Sequence, residues 1–268
     1  MSKVALITGA SSGIGRELAK ELAIRHYNLI LVSRRRNVLE GLAEELRDKY
    51  GVNAWPIDHD LSDLSRINEL VDRVRGLGIE VSILVNNAGA GLYGPLGELN
   101  DDDIVRIVSL NYLTPILLTK KFLPDLAKNK GCVVNVISLA AYISIPWFGI
   151  YTSSKAALAN ITDALRIELR PLGIRVIGVY PGYVRTNFHS NTIVTPTASR
   201  ARDSPKGPVL DPGYVANKIA EKIDDPRFNG DIVPSITYRM AGVFLRILYP
   251  LVRYYVNSWF NKSIGRLA

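Results

Sequence analysis

Sulfur, histidine and acidic charge are all scarce in this chain. Its 268 residues include one cysteine, Cys132, so no intrachain disulfide can form. Cys132 opens an apolar run and reads as a small buried hydrophobe. The three histidines, His26, His59 and His189, show no ligand spacing. They read as surface or helix-end residues, and no metal site is expected. In the tail Tyr238–Phe260 no uncharged stretch reaches the roughly 20 residues that a membrane-spanning helix needs. The opening MSKVALITG runs straight into an apolar strand, without the charged-apolar-small order of a cleaved leader, so a cytoplasmic location is expected. Acidic residues number 25 against 33 Lys and Arg, a net charge of +8. Such an excess suits nucleic acid, a membrane surface or a small anion. The tight cluster Arg34, Arg35, Arg36 is too short for a nucleic-acid surface, and no zinc spacing, RNP-like motif or basic arm accompanies it. Nucleic acid is therefore not an expected partner.

What is present is an alternation. Continuous apolar runs fall at Val4–Thr8, Leu29–Ser33, Asn53–Ile57, Ser82–Val85, Val133–Ile137 and Arg175–Tyr180, with a short one near Asp231–Val233. Runs without polar alternation suit strands buried on both faces. Between them lie amphipathic stretches at Gly13–Arg25, Val38–Tyr50, Leu64–Arg75, Asp101–Ala127 and Tyr151–Arg170. This pattern predicts an α/β fold: a Rossmann-type, doubly wound, mainly parallel seven-stranded sheet with helices on both faces. Residues 1–236 read as that domain and 237–268 as a helical extension of it. The segment Asn187–Pro212, rich in Ser, Thr, Pro and Arg, reads as a long substrate loop.

Three patterns carry chemistry. TGASSGIG places Gly9, Gly13 and Gly15 where the first strand turns into the first helix. Glycine admits a close ligand, and the helix start offers free N–H groups to a phosphate. The second strand ends in Ser33 followed by Arg34 and Arg35. An acid there would hold a ribose 2′-hydroxyl; a serine with arginines welcomes a 2′-phosphate, which favours NADP(H) over NAD(H). Third, Tyr151 and Lys155 are four residues apart and share a helix face, with Ser138 upstream at the end of an apolar run. A phenol beside a fixed cation ionises more readily, and a nearby hydroxyl can hold a carbonyl oxygen.

TGASSGIG, NNAG at Asn86–Gly89, Asn111, Ser138, Tyr151-x-x-x-Lys155 and Pro181-Gly182 follow the order and spacing of the short-chain dehydrogenase/reductase family. The resemblance covers about Lys3 to Val233 and is closest to the single-domain branch. It implies Tyr151 as general acid and base, and Lys155 as the residue that lowers its pKa and bonds the nicotinamide ribose. Ser138 would orient the substrate carbonyl, and Asn111 would hold a water in a proton relay with Lys155. The glycine turn, with Ser11, Ser12 and Ile14, would cradle the phosphates. Asp60 and Leu61 would meet the adenine, and Asn87, Ala88 and Gly89 would line the adenosine ribose. Pro181, Gly182, Val184 and Thr186 would cradle the nicotinamide. One departure is Ser12, where members preferring NADP often carry a basic residue. Arg34 would then hold the 2′-phosphate largely alone, with help from Arg35, and use of NAD(H) stays open. A non-catalytic NADP(H)-sensing protein is the alternative reading. The helices Asp101–Ala127 and Tyr151–Arg170 correspond to those that pair subunits in the family, so a homodimer or homotetramer is implied.

Tyr142, Trp147, Tyr183 and Phe188 are candidate substrate contacts, and their bulk predicts a large hydrophobic carbonyl compound of the 3-oxoacyl, steroid-like or aromatic kind. The tail Tyr238–Phe260 lies beyond the resemblance. Arg239, Arg246 and Arg253 recur every seven residues on one helical face, and Pro250 should kink or break the helix. Such a tail can cover the cleft, pack on a subunit or lie on a membrane surface.

Overall fold

The computed structural model describes residues 3–201 and 208–264. In chain order the elements are β1 (Val4–Thr8), α1 (Gly13–Ile24), β2 (Asn28–Ser33), α2 (Arg36–Tyr50), β3 (Ala54–Asp58), α3 (Ile67–Arg75), β4 (Ile83–Asn86) and β5 (Leu92–Tyr93). There follow α4 (Asp101–Val108), α5 (Thr114–Lys128), β6 (Cys132–Val136), α6 (Gly149–Glu168), β7 (Arg175–Val179) and β8 (Ile193–Val194). The chain continues through α7 (Pro196–Ala201), α8 (Pro212–Asp224), β9 (Asp231–Ile232), α9 (Ile236–Ile247) and α10 (Tyr249–Ile264).

Seven strands form one parallel sheet in the order β3-β2-β1-β4-β6-β7-β9. Strand side chains alternate between its faces. Ala5, Ile7, Leu29 and Leu31 pack under α1, α2 and α8; Leu6, Ile30, Val32 and Leu84 pack under α3 and α5. Both faces are dry, which explains the continuous apolar runs. The strand order reverses direction between β1 and β4. The crevice at such a switch point, outside the carboxyl ends of the strands, is where ligands of this architecture bind.

Two segments differ from the sequence expectation, and the tail breaks where Pro250 was expected to break it. The helix foreseen over 101–127 is continuous but carries a π turn at Ser109–Leu113, where the Thr114 N–H donates to the Ser109 carbonyl. Pro115 has no N–H for the usual bond to the Asn111 carbonyl, so the ladder must shift there. The segment foreseen as a loop after Asn187 holds β8, which pairs with β5, and then α7; residues 202–207 lie outside the described residues. The tail is two helices, because α9 ends at Leu248 and Pro250 sits in the first turn of α10. The seven-residue arginine repeat therefore does not run along one continuous face. No helix among the described residues is long and apolar enough to cross a membrane.

A buried polar chain fixes α6 to the sheet. Asn86 Nδ2 donates to Asn135 Oδ1 at 2.8 Å, and Asn135 Nδ2 donates to Thr162 Oγ1 at 2.9 Å. Thr162 in turn donates to the Leu158 carbonyl. Truncation to Asn135→Ala removes the acceptor of Asn86 and the donor to Thr162, an effect of about 1–3 kcal/mol. A lower urea midpoint at unchanged slope is the expected result, measured by equilibrium unfolding.

Candidate active site

The carboxyl ends of β1 and β4 are stitched together before any ligand is considered. Thr8 Oγ1 donates to the Val85 carbonyl at 3.1 Å and accepts from the Asn87 and Ala88 N–H groups at 2.9 and 3.1 Å. Asn87 Nδ2 returns to the Thr8 and Gly9 carbonyls at 2.9 and 3.3 Å. Gly9 and Gly13 have φ of 68° and 56°, a region that glycine tolerates best. A Cβ on Gly15 would sit 2.5 Å from the Gly9 carbonyl oxygen and 2.4 Å from Asn87 Nδ2. Gly15 therefore acts by close packing, and the cleft wall is formed by Gly9, Ser11, Ser12, Gly13 and Ile14.

The start of α1 fits a phosphate. Its N-cap residue Ser12 makes no side-chain capping bond, and no acid occupies the first turn. The free N–H groups and the positive end of the helix dipole thus face the cleft. Across it, Arg35 donates to Ser11 Oγ from Nε and Nη2 at 3.2 and 2.9 Å, and its own N–H is held by Ser33 Oγ. Arg34 lines the same rim. Asp60 Oδ1 accepts from the Ser62 N–H and hydroxyl at 3.0 and 2.6 Å. Burial works to raise its pKa, but the Ser62 bonds and the charges of Arg34 and Arg106 bring it below the usual carboxylate value. Thr114 Oγ1 fixes the next residue by donating to the Leu61 carbonyl at 2.6 Å.

The cleft runs on for about 900 Å³ to a second cluster. Ser138 ends the loop after β6, Tyr151 lies in the first turn of α6, and Lys155 follows one turn later. Tyr151 is 6% and Lys155 4% exposed. Phe148 stacks on the Tyr151 ring at 4.5 Å, and Phe188 tilts against it at 5.3 Å. Burial pushes the Tyr151 phenol up to about 12, while a hydrogen bond with Ser138 acts in the opposite direction. Burial likewise pushes Lys155 down to about 8. Its Nζ donates to the Val136 carbonyl at 2.8 Å. Within the protein itself burial dominates the phenol, and the Lys155 charge is not among the causes acting on it.

Asn111 sits in the π turn and is fully buried. Its Oδ1 accepts from the Ala90 N–H at 3.0 Å, and its Nδ2 donates to the Ala90 carbonyl and to Ser154 Oγ at 2.9 and 3.1 Å. The side-chain amide is therefore committed to holding the loop after Gly89. A Cβ on Gly89 would lie 3.1 Å from Asn111 Oδ1 and 3.4 Å from Lys155 Nζ, so this wall closes tightly on both.

Most remaining candidates converge here. Ser33, Asp60, Leu61, Asn87, Ala88 and Gly89 line the adenosine end by position, and Pro181, Gly182, Tyr183, Val184, Thr186 and Phe188 line the other. The methyl of Thr186 would touch a Cβ on Gly13 at 2.8 Å, so the segment after β7 folds over the glycine turn. Two expected substrate contacts are elsewhere. Tyr142 stacks on buried Tyr180 at 5.1 Å, and Trp147 packs between Tyr93 and Phe260. Both are absent from the cleft lining: buried Tyr180 takes Tyr142, and half-buried Tyr93 and Phe260 take Trp147. Conversely, His59 is not a surface residue, and it and half-buried His189 both line the cleft. His59 is 3% exposed, neither ring nitrogen has a partner, and burial lowers its pKa. Thr8 and Tyr238 were missed. Tyr238 roofs Gly182, accepting from the Tyr183 N–H at 3.2 Å and donating to the Pro208 carbonyl.

Comparison with known proteins agrees with this geometry. The short chain dehydrogenase family matches residues 3–195. An NADP-dependent 3-hydroxy acid dehydrogenase of Schizosaccharomyces pombe is 40% identical over 189 residues, 69% of this chain and 73% of the relative. Dehydrogenase/reductase SDR family member 7B of Xenopus tropicalis is 32% identical over 93% of this chain and 82% of its own length. Among solved structures, a short-chain dehydrogenase from Sphingobium yanoikuyae in complex with NADPH aligns with a TM-score of 0.78 at 27% identity, covering 90% of this chain and 92% of the other. The bulky-bulky ketone specific alcohol dehydrogenase of Comamonas testosteroni aligns at 0.74 and 30% identity, covering 90% of each chain. The seven-stranded parallel sheet, the glycine turn at its switch point and the tyrosine–lysine pair are thus those of a known family, and the chain belongs to the short-chain dehydrogenases.

Proposed function

We propose that this protein is an NADP(H)-dependent oxidoreductase that interconverts a ketone and a secondary alcohol on a bulky hydrophobic substrate. The observation that carries the reading is the convergence of Ser138, Tyr151 and Lys155 at one end of a cleft whose other end is a glycine turn flanked by Arg34 and Arg35. The coenzyme, when bound, supplies or accepts the hydride at the substrate carbon. The Tyr151 hydroxyl gives its proton to the substrate oxygen as charge develops there, and takes it back in the reverse direction. Ser138 offers a second hydrogen bond to that oxygen. Lys155 places a cation in the same dry volume, and Asn111 holds the loop that forms its wall. A phenol kept high by burial stays protonated at neutral pH, the form a reductase needs.

Around Ser138 and Tyr151 the lining is apolar: Ile143, Ile145, Phe148, Phe188, Ile193 and Leu245. This favours large carbonyl compounds over small acids. A relative named for a 3-hydroxy acid supports alcohol–ketone chemistry, and a solved structure named for bulky ketones supports the larger substrate. We also propose self-association through α4, α5 and α6, because Val105 and Ile167 on these helices are 64% and 77% exposed.

Tyr151→Phe should lower turnover by at least about 100-fold, as expected for loss of a general acid, while NADPH affinity stays near wild type. NADPH oxidation across a ketone panel and NADPH fluorescence titration measure the two. Joint loss of both would sink the catalytic assignment. Arg35→Ala removes the ligature to Ser11 and one cation from the rim. The ratio of kcat/KM for NADPH over NADH should fall roughly 10- to 100-fold, the range of one charge-assisted bond.

Lys155 also makes stability depend on pH. Its folded pKa is about 8, against 10.5 for a free lysine. Below pH 8 the charge is buried at a cost; above 10.5 both states are neutral and the cost vanishes. Lys155→Met should therefore raise Tm at pH 7, with the gain shrinking from pH 8 to 10.5. A gain that is constant across that range would show that Lys155 is not a buried cation.

A further inference from the structure

Helix α9 has two apolar faces with different occupants. At about 100° per residue, Tyr238, Ala241, Gly242 and Leu245 share one side of the helix. Tyr238, Ala241 and Leu245 line the catalytic cleft, and Gly242 abuts Leu139 and Tyr142. Ile236, Met240, Val243 and Ile247 fall on the opposite side, 70%, 69%, 54% and 71% exposed. On α10, Leu251, Tyr254 and Tyr255 are likewise exposed, at 54%, 71% and 72%. Isolated exposed apolar residues are ordinary, but a contiguous patch of this kind marks an interaction surface.

Charge identifies the occupant. From Val233 to the end the sequence contains Arg239, Arg246, Arg253, Lys262 and Arg266 and not one Asp or Glu. Arg239 itself borders the exposed groove on α9. A second copy of this face would bring another Arg239 to a tail that offers no acidic partner. A lipid surface with anionic headgroups meets both demands, taking the apolar side chains into the acyl boundary and the cations at the headgroups, with tyrosines at the level between. Helices of 12 and 16 residues suit lying on such a surface, not crossing it.

We propose that the outer face of α9, extended by α10, docks on an anionic membrane surface, and that the cleft takes a membrane-partitioned ketone or alcohol through the mouth that the inner face of α9 lines. The second half rests on the oxidoreductase reading; the docking does not.

The test uses the full chain and sedimented vesicles of phosphatidylcholine, with and without roughly one-third phosphatidylserine. Binding to the anionic vesicles, weakened by salt, is expected. The triple variant M240S/V243S/I247S should lower the bound fraction at least tenfold while keeping Tm and the turnover of a water-soluble ketone. For a vesicle-partitioned ketone, its apparent KM should rise several-fold relative to wild type. No wild-type binding, or undiminished binding by the variant, overturns the docking. A dimer that the variant dissociates, without vesicle binding, assigns the face to a second copy and also overturns it. Docking with unchanged KM overturns the delivery route. Wild type inactive on every ketone, yet bound to vesicles, counts against the oxidoreductase reading alone.

Discussion

The site depends first on the seam between β1 and β4. Parallel strands cannot both send their connections to the same side at this point, so the sheet leaves a crevice at their carboxyl ends. The hydroxyl of Thr8 and the amide of Asn87 span it, tying the glycine turn to the loop that starts at Asn87. With that seam closed, Gly15 can pack against the Gly9 carbonyl, and α1 is aimed with its free N–H groups toward the cleft. The phosphate end of the site is thus a consequence of strand order plus one threonine and one asparagine.

The reacting end is set by how buried polar groups are satisfied. Pro115 withholds an N–H, the helix shifts into a π turn, and Asn111 is carried inward to hold Ala90 by both its donor and acceptor. The same amide reaches Ser154 on α6, while Asn135 holds that helix to the sheet through Thr162. Tyr151 and Lys155 therefore ride on a helix clamped by polar bonds at two levels. Buried networks of this kind set geometry because each broken bond leaves a group with no water to replace it. The cost appears in the opposed shifts of the pair: burial favours neutral phenol and neutral amine alike.

Much of this was legible in the sequence, for identifiable reasons. Strands dry on both faces must be continuously apolar, so the five inner strands of the main sheet announced themselves, and the half-exposed edges β3 and β9 carried less of that signal. Glycines at a strand-to-helix turn and a tyrosine four residues before a lysine are patterns fixed by close approach and helix pitch. Other features required the tertiary fold. Nothing local distinguishes Trp147 and Tyr142, which other aromatic rings claim, from Phe188, which faces the cleft. β5 and β8 are two residues each and pair across a hundred positions, too short for periodicity to show. Thr8 reads as an ordinary strand residue until Asn87 is beside it. The burial that holds the Tyr151 phenol high depends on everything packed around it, whereas spacing reports only a neighbouring charge.

The two ends of the cleft make opposite demands on solvent, and the fold separates them along the sheet edge. At the phosphate end Arg34, Arg35 and Asp60 stay within reach of water, where charge is cheap to hold and anions arrive hydrated. At the reacting end Phe148 and Phe188 close on the phenol, and Tyr238 caps the loop after β7. A proton delivered there meets a low dielectric, in which hydrogen bonds to developing charge are strong. The roof of that dry end is α9, a helix beyond the segment matched to the family. Change in α9 and in the segment around β8 can therefore alter which substrate enters while the sheet, the seam and the tyrosine–lysine helix keep the chemistry constant.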